Sequence, residues 1–401
     1  MLIEIILVIL IGILAGIFTG LIPGIHINLI ALLILSSAPA LLSVTSPLMI
    51  SIFIISMSIT HTFLDTIPSV FLGAPESSTA LSVLPGHKLL LQGKGYEAVM
   101  LTLIGSFLAL ILAICLAPLI SIIILTIYST LKKWMALILI TSSAFLILKE
   151  RKSKMWALII FLTSGVLGIT TLNFANLTNP LFPLLSGLFG TSTLIISLSE
   201  KTKIPIQKIT FPIISKNELS KVMSCSLLAG GLCSFLPGLG PAQAAIIGSS
   251  FYKKITDRGF LILVGSLNTL NMVLSFLALY IIDKARNGAV ITISKIMEKI
   301  TINELIIFFG VSLVVGSIAT VLTIKIAKIF ANIMSKINYQ KLIISVISLI
   351  VLMVFIISSQ FTGLLILLIS TFTGMLPVKL GIGRNHLMGC LLLPVILYFI
   401  L

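Results

Sequence analysis

Three features of the chain predict an all-α polytopic membrane protein made of two inverted-topology repeats, with re-entrant helical hairpins broken at Pro-Gly. Hydrophobic residues form 58% of the sequence and charged residues only 9%. Apolar blocks of about 20 residues, the length a helix needs to cross a bilayer, recur from end to end. A Pro-Gly break in the first half returns in the second. No stretch is long or polar enough for a soluble domain, because the longest hydrophilic segment is 200–221. The chain therefore divides into a first membrane repeat over 1–199, a cytoplasmic linker over 200–218 and a second, inverted repeat over 219–401.

Charge and cysteine usage exclude other classes. The net charge of +15 does not signal nucleic acid, since Lys and Arg sit in short loops between apolar blocks, where they orient the chain in the membrane. Cys115, Cys225, Cys233 and Cys390 stand singly in apolar segments, without the close pairing of a metal or redox site, and read as packing residues. No cofactor and no metal is expected.

Taken in order, the first segment, MLIEIILVILIGILAGIFTG, carries Glu4 in place of a basic leader and reads as a retained helix. Its Gly12, Gly16 and Gly20 fall four apart on one face, as close helix packing requires. The run then breaks at GLIPGIHIN, where Pro23 and Gly24 are followed by His26 and Asn28. SFLPGLG at 234–240 repeats that break. Glu76 matches Asp283, Glu97 matches Glu304, and KWMALILI at 133 matches QKLIISVI at 340, all at a shift of 207, while the Pro-Gly pairs require 214. The order and spacing of these matches indicate an internal repeat.

Loop charge gives its sense. KERKSK at 149–154 faces an uncharged ISSQFT at 357–362, whereas Lys325, Lys328, Lys336 and Lys341 crowd a turn whose first-half counterpart holds Lys132 and Lys133. The basic side alternates between the copies, which is the pattern of inverted topology, and places the N-terminus outside with 149–154 and 325–341 in the cytoplasm. Transporters of this kind hold substrate at helices broken near the midplane. Exposed backbone is tolerated there only when it lines a protein cavity.

Two further breaks fall late in each repeat: LNFANLTNPLFP at 172–183, with Asn173, Asn176 and Asn179, and GMLPVKLGIGRNH at 374–386, with Lys379, Arg384 and Asn385. Four tips, at 22–28, 172–180, 236–243 and 376–385, then converge as re-entrant hairpins. A half-helix N-terminus offers unpaired N–H groups and a positive dipole end, so the tips suit a carboxylate or phosphate. Pro241 fits the first turn of such a half-helix, with Gly240 and Gln243 beside it. Lys379 and Arg384 supply full charges, unless they lie in an exposed loop and snorkel to the interface.

The most polar stretch of the first half, residues 61–98, opens with His61 and Asp65 at i, i+4 on one helical face. That spacing suits a proton relay or an ion-coordinating pair, and equally a structural salt link. Glu76, Ser77 and Ser78 follow Pro75 like a capped helix start, or like a gate beside substrate. Asn268 and Asn271 fall near where the shift predicts a partner for His61 and Asp65, as contacts to Na+ or as interhelical glue.

LIPGIHIN, FLGAPESSTALSVLPGHKLLLQGKGYEAV, LFPLLSGLFGTSTLIISL and FLPGLGPAQAA, in that order, resemble the landmarks of the large permease subunit of tripartite tricarboxylate transporters. The resemblance covers most of the chain, whose shortness suits an archaeal-type, stand-alone member. It implies ion-driven carboxylate uptake, with Pro23, Gly24, Pro237, Gly238, Glu76, Ser77 and Ser78 on the substrate pathway. Family systems also use a small membrane subunit and an extracytoplasmic binding protein, which one chain does not reveal.

The expected function is a multi-pass permease of the cell membrane that moves a small organic anion with H+ or Na+. A homodimer is compatible with such a chain. The nearest alternative is a polyprenyl- or lipid-phosphate translocase, for which the same cationic centre would hold a phosphate headgroup. An intramembrane hydrolase using His61 and Asp65 is a third class, but neither HExxH nor GxSxG is present. No catalytic residue is assigned.

Overall fold

The computed structural model describes residues 2–401 apart from 23–26, 74–80, 82, 151, 176, 178, 200–204, 237–238, 253–254, 286, 298, 335, 337 and 359. Every regular element among the described residues is helical. The first half contains α1 (Leu2–Leu21), α2 (Ile27–Ser36), α3 (Ala38–Leu42), α4 (Pro47–Leu64), α5 (Thr66–Phe71), α6 (Val83–Leu91), α7 (Gly95–Cys115), α8 (Ala117–Leu148) and α9 (Lys154–Leu172). It closes with α10 (Leu181–Leu185), a π-helical turn (Ser186–Thr191) and α11 (Ser192–Ser199). The second half contains α12 (Lys216–Phe235), α13 (Pro241–Phe251), α14 (Asp257–Ile282), α15 (Gly288–Met297), α16 (Ile302–Met334), α17 (Tyr339–Ile357) and α18 (Phe361–Leu380), then a 3-10 turn (Arg384–Met388) and α19 (Gly389–Ile400). Nine described helices or helix runs are long and apolar enough to cross a membrane, and α8, bent by 90° between Thr130 and Lys133, raises this to ten if it counts as one span.

Helix boundaries recur at the shifts seen in the sequence. α1 and α12 are both 20 residues long and begin 214 positions apart, and α9 and α18 begin 207 apart. Short helices follow both Pro-Gly pairs, as α2 and α13.

The centre of the molecule is the run α4–α5 together with α14, whose apolar windows are 83% and 89% buried. α1 packs along α4 through the predicted glycine face. A Cβ on Gly12 would lie 2.6 Å from Ser56 Cβ, one on Gly16 2.5 Å from Thr60 Cβ, and one on Gly20 3.0 Å from Leu64 Cβ. Both helices therefore run in the same direction, and only glycine permits that approach. α16 also runs with α4–α5, since Phe63 lies near Gly316 and Phe71 stacks on Phe330. Against this, α14 meets Asp65 through Asn268 and Phe308 through Phe276, so it runs the opposite way. α7 crosses α14 so closely that backbone faces backbone, with Gly105 against the Ile262 carbonyl and Gly265 against the Thr102 carbonyl.

The late hairpins pack on each other reciprocally. α9 lies against α19, with Gly168 on the Cys390 carbonyl and Gly389 on the Phe161 carbonyl, and the π-turn lies against α18, with Gly374 on the Leu188 carbonyl. Of the linker, residues 205–215 lie extended along the α6–α7 turn, where Lys208 N–H donates to the Gly93 carbonyl at 2.8 Å and Gly95 N–H to Gln207 Oε1 at 2.8 Å.

Candidate functional site

The turn between α18 and α19 forms because Gly381, at φ +67°, adopts the left-handed conformation that ends α18. Three consecutive polar residues follow: Arg384, Asn385 and His386. Arg384 reaches into the other hairpin. Its Nη2 donates to the Leu188 carbonyl at 2.8 Å and to the Ser192 hydroxyl, and its Nη1 donates to the Thr193 hydroxyl. Leu188 lies in the π-turn, whose i→i+5 pattern departs from the α ladder and brings this carbonyl within reach. Arg384 Nε is buried and has no partner among the described residues. No carboxylate pairs with the guanidinium among them either.

Two cavities meet at this turn. One, of about 650 Å³, is lined by Arg384, Thr193, Ser197, Val378, His87 and Lys88 among others. The second, of about 570 Å³, takes Asn385, Lys88, Lys149, Glu150 and Asp257 into its wall. Both volumes suit a small ligand. α6 stands between them, with Lys88 bordering both and donating to Asp257 Oδ2 at 2.6 Å. Burial holds the His87 imidazole down at about 4, with the Arg384 charge adding to the effect and a hydrogen bond to the Val70 backbone opposing it. His87 is therefore neutral at physiological pH, and Lys88 and Arg384 are the cations lining the first cavity.

A separate polar network crosses the centre. His61 Nδ1 lies 3.1 Å from Thr19 Oγ1, and Nε2 lies 3.9 Å from Asp65 Oδ2. Asn268 Nδ2 donates to that same Asp65 oxygen at 2.7 Å and sits 3.5 Å from the Thr62 carbonyl. On the same turns, the buried hydroxyls of Thr60 and Thr269 have no partner among the described residues. The carboxylate, amide and hydroxyl oxygens here suit a proton or a small hard cation. Asn271 stands apart, accepting from Cys233 Sγ at 3.4 Å. Substituting Asn268 by Ala should cost about 1–3 kcal/mol by removing a buried charge-assisted bond, read as a lower thermal midpoint in detergent. An unchanged midpoint would remove Asn268 from the network.

Other expected site residues are placed as follows. Gln243 Oε1 accepts from Gly240 N–H at 2.9 Å, so this pair caps α13. Asn173 caps α9 by donating from its amide to the Ile169 carbonyl at 2.8 Å, and both it and Asn179 are exposed at the α9–α10 turn, where the Asn179 carbonyl accepts from Ser358. Lys379 is exposed on the last turn of α18. None of these five residues is among the named lining of either cavity. Asn28 belongs to α2, and only its backbone is described. Pro23, Gly24, His26, Glu76, Ser77, Ser78, Asn176, Pro237 and Gly238 lie outside the described residues. Sequence reasoning missed His87, Lys88, Thr193, Glu150 and His386. LPGHKLLL, a third Pro-Gly next to a His-Lys pair, was the available signal for the first two.

Membrane-length helices wrapped around a buried polar centre, with cation-lined cavities at a helix break, define a multi-pass membrane transport protein. A family model described as the tripartite tricarboxylate transporter TctA family matches residues 6–389. The chain belongs to that family, and membership makes it a component of a tricarboxylate transport system. It is also 33% identical over 361 residues to an uncharacterised protein of Methanocaldococcus jannaschii, covering 87% of this chain and 88% of that protein. No solved structure matches it significantly.

Proposed function

We propose that the chain is a secondary active permease, not an enzyme, that moves a small di- or tricarboxylate with H+ or Na+. The observation that carries this reading is Arg384. Its guanidinium is docked by a carbonyl and two hydroxyls and borders a cavity, but no carboxylate neutralises it among the described residues. A half-buried charge at a cavity wall favours a counter-charge, and a planar fork favours a carboxylate. In this reading Lys88 and Asn385 extend the binding surface, and the Asp65 network takes a coupling ion. The two-repeat, inverted reading is supported by the recurring helix boundaries and by the opposite senses of α4–α5 and α14.

Uptake of labelled citrate and succinate into liposomes carrying the purified protein tests it. Accumulation driven by an imposed H+ or Na+ gradient is expected. If no carboxylate moves in either direction, the stand-alone carrier is lost, leaving a component that requires its other subunits.

Orientation is tested separately. Ser153 caps α9 at the start of the hairpin, and in this reading it is cytoplasmic. A maleimide should label Ser153→Cys from the cytoplasmic side alone, and labelling only from outside would reverse the topology.

A further inference from the structure

We propose that Glu150 and His386 form a proton-binding pair that couples proton uptake to anion occupancy of the adjoining cavities. The proposal rests on the carboxylate-carrier reading above and adds a proton held at this pair to the ion held by the Asp65 network. Glu150 Oε2 accepts from His386 Nε2 at 3.0 Å and from Gly383 N–H at 3.0 Å, and Oε1 accepts from Lys152 N–H at 3.2 Å. The two side chains are 13% and 1% exposed. His386 Nδ1 is buried with no hydrogen-bond partner among the described residues. With the ring neutral and donating from Nε2, Nδ1 keeps a lone pair and the pair carries one negative charge. One added proton, held by the pair as a unit, brings that charge to zero.

Position links this proton to the anion. Arg384, Asn385 and His386 are consecutive: the first borders one cavity, the second borders the other, and the third turns inward onto Glu150, itself in the wall of the second cavity. An unprotonated pair presents a negative charge to an entering carboxylate and opposes it by Coulomb repulsion. Protonation removes that repulsion, and by linkage the anion must raise the affinity for the proton by the same factor. Protonation also weakens the carboxylate's hold on Gly383 N–H, which anchors the turn carrying Arg384.

The surrounding charges come from known elements. Lys149 and Lys152 belong to the same loop as Glu150, with Lys152 over Gly381. Lys88 comes from α6, Asp257 from α14 and Arg384 from the turn itself. α9 carries only Lys154 and α18 only Lys379, both exposed, and α19 carries no charged residue. His61 and Asp65 are not among the lining residues of either cavity.

The test uses purified protein in liposomes with labelled citrate as the probe. Two activities are compared: exchange without a gradient, and accumulation driven by an inward pH gradient. Wild type should do both, with exchange falling as pH rises. Glu150→Gln fixes the pair in its neutral form, so the pH dependence of exchange should disappear and the ratio of accumulation to exchange should fall at least tenfold. His386→Gln should also lose accumulation.

Accumulation at the wild-type level in Glu150→Gln, or accumulation that follows a Na+ gradient alone, would overturn the proposal. Loss of exchange together with accumulation in both variants would assign a structural latch instead. Wild type that exchanges no carboxylate defeats the carrier reading and this one with it. Wild type that exchanges while its variants match it defeats only this one.

Discussion

Arg384→Ala is expected to abolish measurable citrate binding while the protein still purifies as a folded, monodisperse species. Removing one partner of a desolvated, hydrogen-bonded charge pair typically costs about 2–5 kcal/mol, or roughly 30- to 5000-fold in affinity. The cost to the fold should be small. The Leu188 carbonyl keeps the Ser192 hydroxyl as a donor at 2.8 Å, and the Thr193 hydroxyl keeps the Phe189 carbonyl as an acceptor. Arg384→Lys separates charge from geometry. A lysine keeps the positive charge but lacks the planar fork, so binding should fall by an intermediate amount. Isothermal titration with citrate at fixed ionic strength reads all three proteins. Wild-type affinity in Arg384→Ala would move the site elsewhere.

The second large effect is structural. Gly265→Ala should prevent recovery of folded protein or lower its thermal midpoint sharply, because the added Cβ meets the Thr102 carbonyl carbon at 2.8 Å and Cα at 2.9 Å. Backbone cannot rotate out of the way as a side chain can, so α7 and α14 would have to separate along a buried crossing. Overpacking of a tight core costs about 1–3 kcal/mol and more where the backbone must shift. Gly105→Ala probes the other side of the same crossing, against the Ile262 carbonyl. Gly310→Ala is the control, since a methyl there meets open space. Equal midpoints for Gly265→Ala and Gly310→Ala would show that the crossing is looser than described.

The all-helical membrane class was legible because apolar length is a strong signal and bilayer thickness fixes what it means. The glycine face of α1 was legible for a related reason, as a four-residue spacing of small residues has few uses other than close packing. The pairing of Asp65 with Asn268 was partly legible, through a repeat shift that placed the second residue near the first. The cavity-lining role of Arg384 was read from its charge beside a break, but its partners were not. Thr193 and Leu188 lie in another hairpin, and nothing local announces that a π-turn will bring that carbonyl to a guanidinium almost two hundred positions away. Glu150 was hidden for the opposite reason. In KERKSK its four cationic neighbours make an orientation signal, and the lone acid within that run reads as noise until Gly383 and His386 are seen to converge on it.

The Asn residues at 172–180 show the limit of composition as a guide. Amides in a turn suit a binding tip, but they suit turn geometry equally well. Asn179, at φ +47°, and Asn173, bonded to its own helix, are spent on the second use.

The π-helical turn at Ser186–Thr191 holds one residue more than an α turn would, at the point where Arg384 finds its carbonyl. Deleting Gly187 would let the helix close with ordinary α spacing and leave the downstream faces nearly where they are, because the wide turn already absorbs the extra residue. Ser192 and Thr193 would stay on the face that holds Arg384, while the carbonyls of the turn would be drawn back into the α ladder. Relatives or variants with a contiguous α-helix at this point would thus keep the fold and its membrane insertion while docking the guanidinium through fewer backbone acceptors.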